Sequence, residues 1–452
     1  MSLATSSQAE SLKWRQRKTA AVHPALWAGA LFLLVVVSRF TEVLPILSRL
    51  PLGDIAALLS IALLVFGQKD RLAPFFSTPL AKTTLAFGVF TAATVAYSIW
   101  PGMSFNFMIS AGVIVGILYY VITRTVTDIA HVRIYAAVLI VGVCAFVIRG
   151  TLGSAWTGRV AVESAYDQND LALFLVVVFP LVLAETTLTA SRMKRWMLIA
   201  IAIGSVLLLF LTQSRGGFLG LLAVCGYLLT FKGFVPGVRK LTVATRVKRI
   251  AVLAVVALPL LFVIPESARE RLSTLTSISD DYNLVSDREG RVAIWSRGLE
   301  YLRSHPWGAG VAAYPKVDTL MGGQFRPAHN FIVQVFVEIG VMGSVVYVFM
   351  LGLGYRLMRK LSGLSAAAGT EEEIPGVVAL HAYSHALCMA LIGFIVTGFF
   401  LSVGYSALLF TLLALIGATA RLGARLGKAD EDAAGAGPRR NALVRGKKGA
   451  LV

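Results

Sequence analysis

Apolar residues along this chain come in blocks, and most blocks approach the ~17–25 residues that carry a helix across the hydrocarbon core of a bilayer. The blocks fall at residues 25–40, 51–67, 80–99, 104–123, 132–148, 171–187, 195–211, 216–231, 250–264, 335–357, 381–400 and 404–420. A helix satisfies its own backbone polar groups in lipid, so the pattern predicts an all-α, polytopic membrane protein of about twelve transmembrane helices. The division that follows is an N-terminal segment over residues 1–24, helices one to nine over 25–264, and a long loop over 265–328. Helices ten to twelve then span 329–420, ahead of a tail over 421–452.

The long loop is patterned. SARERLSTL and GRVAIWSRGLEYLRS both space their apolar residues at i, i+3, i+4 and i+7, which predicts amphipathic helices. In the second, Val292, Trp295, Leu299 and Leu302 share the face expected to be buried. SISDDYNLVSDREG reads as a loop between them, and HPWGAG and MGGQFRPA as turn-rich segments. Structured loops of this length are commonly functional.

Composition excludes an ordinary soluble domain: 57% of residues are hydrophobic, 15% are charged and the mean hydropathy is +0.75. A net charge of +18 would suit a nucleic-acid binder. The basic residues instead form short clusters between apolar blocks, where they orient helices, so no nucleic-acid partner is expected. Such clusters occupy alternate connections: Lys13 to Lys18, Lys69 and Arg71, Arg124 and Arg133, Arg192 to Arg195, Lys232 to Arg249, and Arg356 to Lys360. Both termini are therefore expected in the cytoplasm, with the first block an uncleaved anchor and the GAGPRRNALVRGKK tail a disordered end near anionic lipid. Cys144, Cys225 and Cys388 each sit inside an apolar block and read as small core residues.

The opposite side carries a different basic set. It comprises Arg39, Arg49, Arg149, Arg159, Arg215, Arg269, Arg271, Arg288, Arg291, Arg297, Arg303, Arg326 and Lys316. The bias toward arginine suits bidentate binding of phosphate or diphosphate; interfacial snorkelling and pairing with loop carboxylates are the alternatives. Arg215 lies in TQSRGG, where two glycines permit a tight turn and close approach to a ligand, or where Ser214 simply caps a helix turn. Arg288 and Arg291, three apart, share a helical face and could grip both phosphates of a diphosphate, or neutralise Asp287 and Glu289. His329, in RPAHNFIVQVFVEIG, stands at a loop–membrane junction, suited either to general-base work on a sugar hydroxyl or to capping a helix. Beside it Asn330 is a candidate acceptor contact. Glu163 is a candidate orienting carboxylate, with Asp167 and Asp170 nearby in sequence, and ordinary pairing with Arg159 the alternative. His381 and His385 have chelating i, i+4 spacing but no accompanying carboxylate or cysteine ligands, so no metal is assigned. There is no Walker motif and no dinucleotide fingerprint, and no cofactor is expected.

Taken in order, QSRGG after an apolar block, GRVAIW and HPWGAG in a long loop, and PAHNFIVQVFVEIGVMG resemble the bacterial O-antigen ligase and polymerase superfamily. The resemblance is best over about residues 169–343. It implies a metal-independent, GT-C type membrane glycosyltransferase of the bacterial inner membrane with its site facing the periplasm. Such an enzyme takes a glycan from undecaprenyl diphosphate and joins it to an acceptor hydroxyl, which in the ligase branch belongs to lipid A–core. The family's arginine after the seventh span corresponds to Arg215, its loop histidine to His329, and its arginine ahead of the aromatic loop helix to Arg291, with Arg288 and Arg159 as helpers. An O-antigen polymerase, a protein O-oligosaccharyltransferase and a lipid-linked glycan transporter remain open. The halves of the chain show no match of the kind transporters carry.

Overall fold

The computed structural model describes residues 22–43, 47, 49–152, 166–230, 233–234, 242–251, 255, 266, 290–367 and 375–435. Among them the regular structure is entirely helical. The principal helices are α1 (Pro24–Val36), α2 (Leu52–Phe66), α3 (Pro79–Tyr97), α4 (Pro101–Thr125), α5 (Ile129–Leu152), α6 (Gln168–Leu188) and α7 (Arg192–Thr212). They continue with α8 (Arg215–Thr230), α9 (Arg291–Ser304), α10 (Tyr314–Leu320), α11 (Phe331–Ala367), α12 (Pro375–Gly398) and α13 (Ala407–Gly435).

Eight helices among the described residues are long and apolar enough to cross a membrane, where the sequence predicts twelve. A ninth appears if α2 and the segment Lys69–Ser77 count as one span, but the two meet at 112°. The reasons are local. α1 and α8 are apolar yet only 13 and 16 residues long, short of the ~20 that a bilayer core needs. Most of the block at 250–264, and all of the first loop helix, SARERLSTL, lie outside the described residues.

The core runs through α6, α12 and α13, whose apolar windows are 78%, 83% and 83% buried. α6 is apolar around its whole circumference and packs against α7, α8 and α12, as a central helix must. Close approach of α8 depends on small residues. A Cβ at Gly217 would lie 2.6 Å from that of Ala172 on α6, and one at Gly220 would lie 1.9 Å from Thr397 Oγ1 on α12.

One end of the bundle is held by an ion-pair network. Arg133 of α5 donates from Nε and Nη2 to the two carboxylate oxygens of Glu185 on α6, both at 2.8 Å. Tyr383 of α12 donates to the same carboxylate at 2.8 Å, and Lys194 of α7 stands 3.9 Å away. At this end too, Arg421 donates to the carbonyls of Thr123 (2.9 Å) and Val126 (2.7 Å), which would otherwise be open at the C-terminus of α4. The last helix continues past 421, where the sequence predicts the tail to begin, to Gly435; residues 436–452 lie outside the description.

The other end is interrupted rather than capped. α11 breaks at Gly340 (φ 71°), and the HPWGAG segment fills the break. Ala309 N–H donates to Val337 O (2.9 Å), Gly310 N–H to Glu338 O (2.8 Å), and Val341 N–H back to Pro306 O (2.8 Å). On its far side the segment meets the α3–α4 connection, where Ile99 N–H donates to Ala309 O (2.9 Å) and Ser104 Oγ to Val311 O (2.6 Å). The Gly308–Gly310 part of this turn-rich stretch is buried, and its backbone bonds fix the root of the long loop. Gly340 is indispensable there, because its φ is left-handed and a Cβ would sit 2.3 Å from the Trp307 carbonyl carbon.

Candidate active site

His329 and the chain neighbours of two other predicted site residues, Arg215 and Arg291, meet residues 397–402, the end of α12 and the connection that leads to α13. Arg215 opens α8, and a Cβ on the next residue, Gly216, would already touch the Phe400 ring at 3.2 Å. Trp295, one turn after Arg291 on α9, packs edge-on against Phe399 with centroids 5.7 Å apart. His329 N–H donates to Ser402 Oγ at 2.8 Å. Sequence reading missed this hub, because Phe399 and Phe400 look like the end of an apolar block and Ser402 like part of the short connection after it.

The turn at Arg215 is built differently from the expectation. Gln213, not a glycine, takes the left-handed conformation (φ 54°) that ends α7. Ser214 then caps α8, its Oγ accepting from Gly217 N–H at 3.3 Å. The glycines of TQSRGG serve helix packing, as described above. Arg215 and Arg291 each occupy the first position of a helix. There the positive end of the helix dipole opposes a cation and favours an anion, so both positions suit arginine best when a negative ligand is bound.

His329 itself is left-handed (φ 47°), an unusual state for a residue other than glycine. Gln213, Ala312 and Phe325 share that conformation on the neighbouring connections, and such strain gathers at sites that need a fixed geometry. Burial, then the positive charges of Arg291 and Arg326, hold the imidazole below its ordinary pKa, while Asp167 pulls the other way. The ring is therefore neutral near pH 7 and able to accept a proton. Asp167 also caps α6 through Asn169 N–H (2.7 Å) and Asp170 N–H (2.8 Å).

Asn330 has a structural task. Its Oδ1 accepts from Ile332 N–H (2.9 Å) and Val333 N–H (3.0 Å), capping α11, and the residue is buried. Arg159, Glu163 and Arg288 lie outside the described residues. α9 forms where the spacing predicts it but buries a different face: Ile294, Gly298 and Tyr301 point inward, whereas Val292 and Leu299 are exposed. The cause is Gly298, which lets the Tyr314 ring of α10 lie against α9, with Tyr314 Oη donating to Ile294 O at 2.8 Å.

His381 and His385 are engaged elsewhere, with the Gly233 carbonyl (3.1 Å) and the Tyr227 hydroxyl (2.9 Å). Among the described residues no three His, Cys, Asp or Glu side chains gather as a metal-binding group.

No curated protein matches the chain. The family model described as O-antigen ligase matches residues 199–348, a stretch that contains Arg215, Arg291 and His329. Over that stretch, about a third of the chain, it is similar to the O-antigen ligase family.

Proposed function

We propose that the chain is an O-antigen ligase, transferring a glycan from undecaprenyl diphosphate to a sugar hydroxyl of lipid A–core. The observation that carries the reading is that the start of α8 at Arg215, the first turn of α9 after Arg291, and His329 all pack against residues 397–402, with the Arg291 charge acting on the His329 ring. In this reading the Arg215 end of the bundle faces the periplasm of a bacterial inner membrane. Both chain termini lie in the cytoplasm, as the alternation of basic clusters requires.

The acceptor hydroxyl gives its proton to His329 as its oxygen attacks the anomeric carbon. The bond from that carbon to the diphosphate oxygen breaks with inversion, and the electron pair leaves on undecaprenyl diphosphate. Arg215 and Arg291 stabilise the charge that develops there, with Arg288 and Arg159 completing the clamp and Glu163 orienting the acceptor side. The diphosphate is already a good leaving group, so arginines and helix N-termini can supply the stabilisation without a metal. Asn330 supports this chemistry indirectly, by fixing the helix start on which His329 rests.

Reconstitution in vesicles with lipid-linked glycan and lipid A–core, in the presence of EDTA, tests the reading. Glycan joined to core is expected. Elongation of lipid-linked glycan instead identifies a polymerase, and movement of donor with no new glycosidic bond identifies a transporter.

A further inference from the structure

Helix α9 is fastened to the chain that carries His329 at two points. Trp295 Nε1–H donates to Ala328 O at 2.7 Å, immediately before the histidine. Arg297 donates from Nε (2.8 Å) and Nη2 (2.6 Å) to Asp318 Oδ1 on α10, and Asp318 Oδ2 accepts from Arg326 N–H at 3.1 Å. We propose that Asp318 is a positioning residue for transfer, a buried carboxylate that bridges α9 to the 326–329 segment and so fixes Arg291 relative to His329. The proposal rests on the reading of Arg291 as a diphosphate ligand and His329 as the base.

The geometry favours this task over simple packing. The Asp318 side chain is 0% exposed, and its two oxygens are divided between two separate pieces of chain. The 321–325 turn closes directly over it: a Cβ at Gly323 would lie within 2.5 Å of the carboxyl carbon and both oxygens. No longer side chain fits beneath that turn. A neutral amide there would leave the Arg297 guanidinium, itself only 15% exposed, without its countercharge. Pairing Arg297 with Asp318 also leaves Arg291 and Arg326 as the cations that act on His329, so the latch sets which charges reach the base. A donor diphosphate on Arg291 and an acceptor hydroxyl on His329 must meet in one alignment, and displacement of about 1 Å can lower turnover ~100-fold.

The test uses the full chain in vesicles, with Asp318→Asn and the double variant Asp318→Asn/Arg297→Gln, which keeps an amide pair without a stranded charge. Spin labels at the exposed positions Ser296 and Pro327 report the separation of α9 from the His329 segment. One narrow distance distribution is expected for the native latch and a broad one for both variants. Turnover should fall about 10- to 100-fold in the double variant while KM for the lipid-linked donor changes less than about threefold. The acidic limb of kcat/KM should move to higher pH as Arg291 recedes, with Arg326 beside His329 and Asp167 on α6 still in place. Native turnover and an unshifted limb in the double variant, or an unchanged distance distribution, overturn the positioning role alone. Native turnover in both Arg291→Ala and His329→Ala overturns the reading of the site, and this proposal with it.

Discussion

The two ends of the bundle solve the problem of charge beside a membrane in opposite ways. At the Glu185 end, opposite charges meet: one carboxylate takes Arg133, Tyr383 and Lys194, and Arg421 closes the last carbonyls of α4. At the Arg215 end, cations open two helices, a histidine is held neutral between Arg291 and Arg326, and the backbone carries several left-handed residues. The first arrangement draws its ion-pair partners from within the chain. The second sets cations at two helix starts beside a histidine of lowered pKa, the arrangement on which the proposed binding of a diphosphate and an acceptor hydroxyl rests. The comparison teaches that charge alone does not mark the candidate site; what sets the Arg215 end apart is that its charges, the Arg297–Asp318 pair included, sit beside left-handed backbone.

The comparison can be broken at either end. The largest effect is expected from Arg215→Ala, which should lower transfer at least ~100-fold, as loss of a transition-state charge contact does, without changing membrane insertion or thermal unfolding. Glu185→Gln should do the reverse. It leaves Arg133 facing an amide and should lower stability by about 2–3 kcal/mol, less than for a fully buried pair because Arg133 is 35% exposed. Thermal unfolding in detergent measures this, and transfer per folded molecule should be unchanged.

A smaller effect sharpens the electrostatics of the second end. His329 has a lowered pKa, so the acidic limb of kcat/KM should lie below the imidazole value of about 6.5. Arg291→Gln removes a neighbouring positive charge and should raise that limb, alongside its effect on rate; a limb that stays put or falls would remove Arg291 from the vicinity of the base. Asn330→Ala should cost about 1 kcal/mol through loss of the α11 cap, and Asn330→Asp should keep both stability and transfer. Loss of transfer in stable Asn330→Asp protein would restore an acceptor contact to that side chain.

Much of the helical frame was legible in the sequence, because an apolar block of bilayer length leaves the backbone little choice. The crossings at α6, α7 and α11 follow that rule. It fails at α1 and α2, where block length overstates helix length and Gly67 ends α2 at a sharp turn, and at α8, whose 16 residues match their block but fall short of bilayer length. Arg215 and Arg291 were legible as charges on the side opposite the orienting clusters, and His329 as an imidazole at a loop–membrane junction. Asp318 was not, since YPKVDTL gives no sign that its carboxylate faces Arg297, 21 residues earlier, and an N–H eight residues later. The buried face of α9 was misread for a related reason. Periodicity favours large apolar residues, whereas a glycine that admits a tyrosine ring made the contact.

The central claim is that His329 takes the acceptor's proton at a donor bound by Arg215 and Arg291. Single-turnover transfer by purified His329→Ala in vesicles, with donor binding measured on the same sample, addresses it most directly. The account predicts native donor affinity with transfer lowered at least ~100-fold, the upper part of the range for a lost general base. Native single-turnover rates in well-folded His329→Ala protein would contradict it.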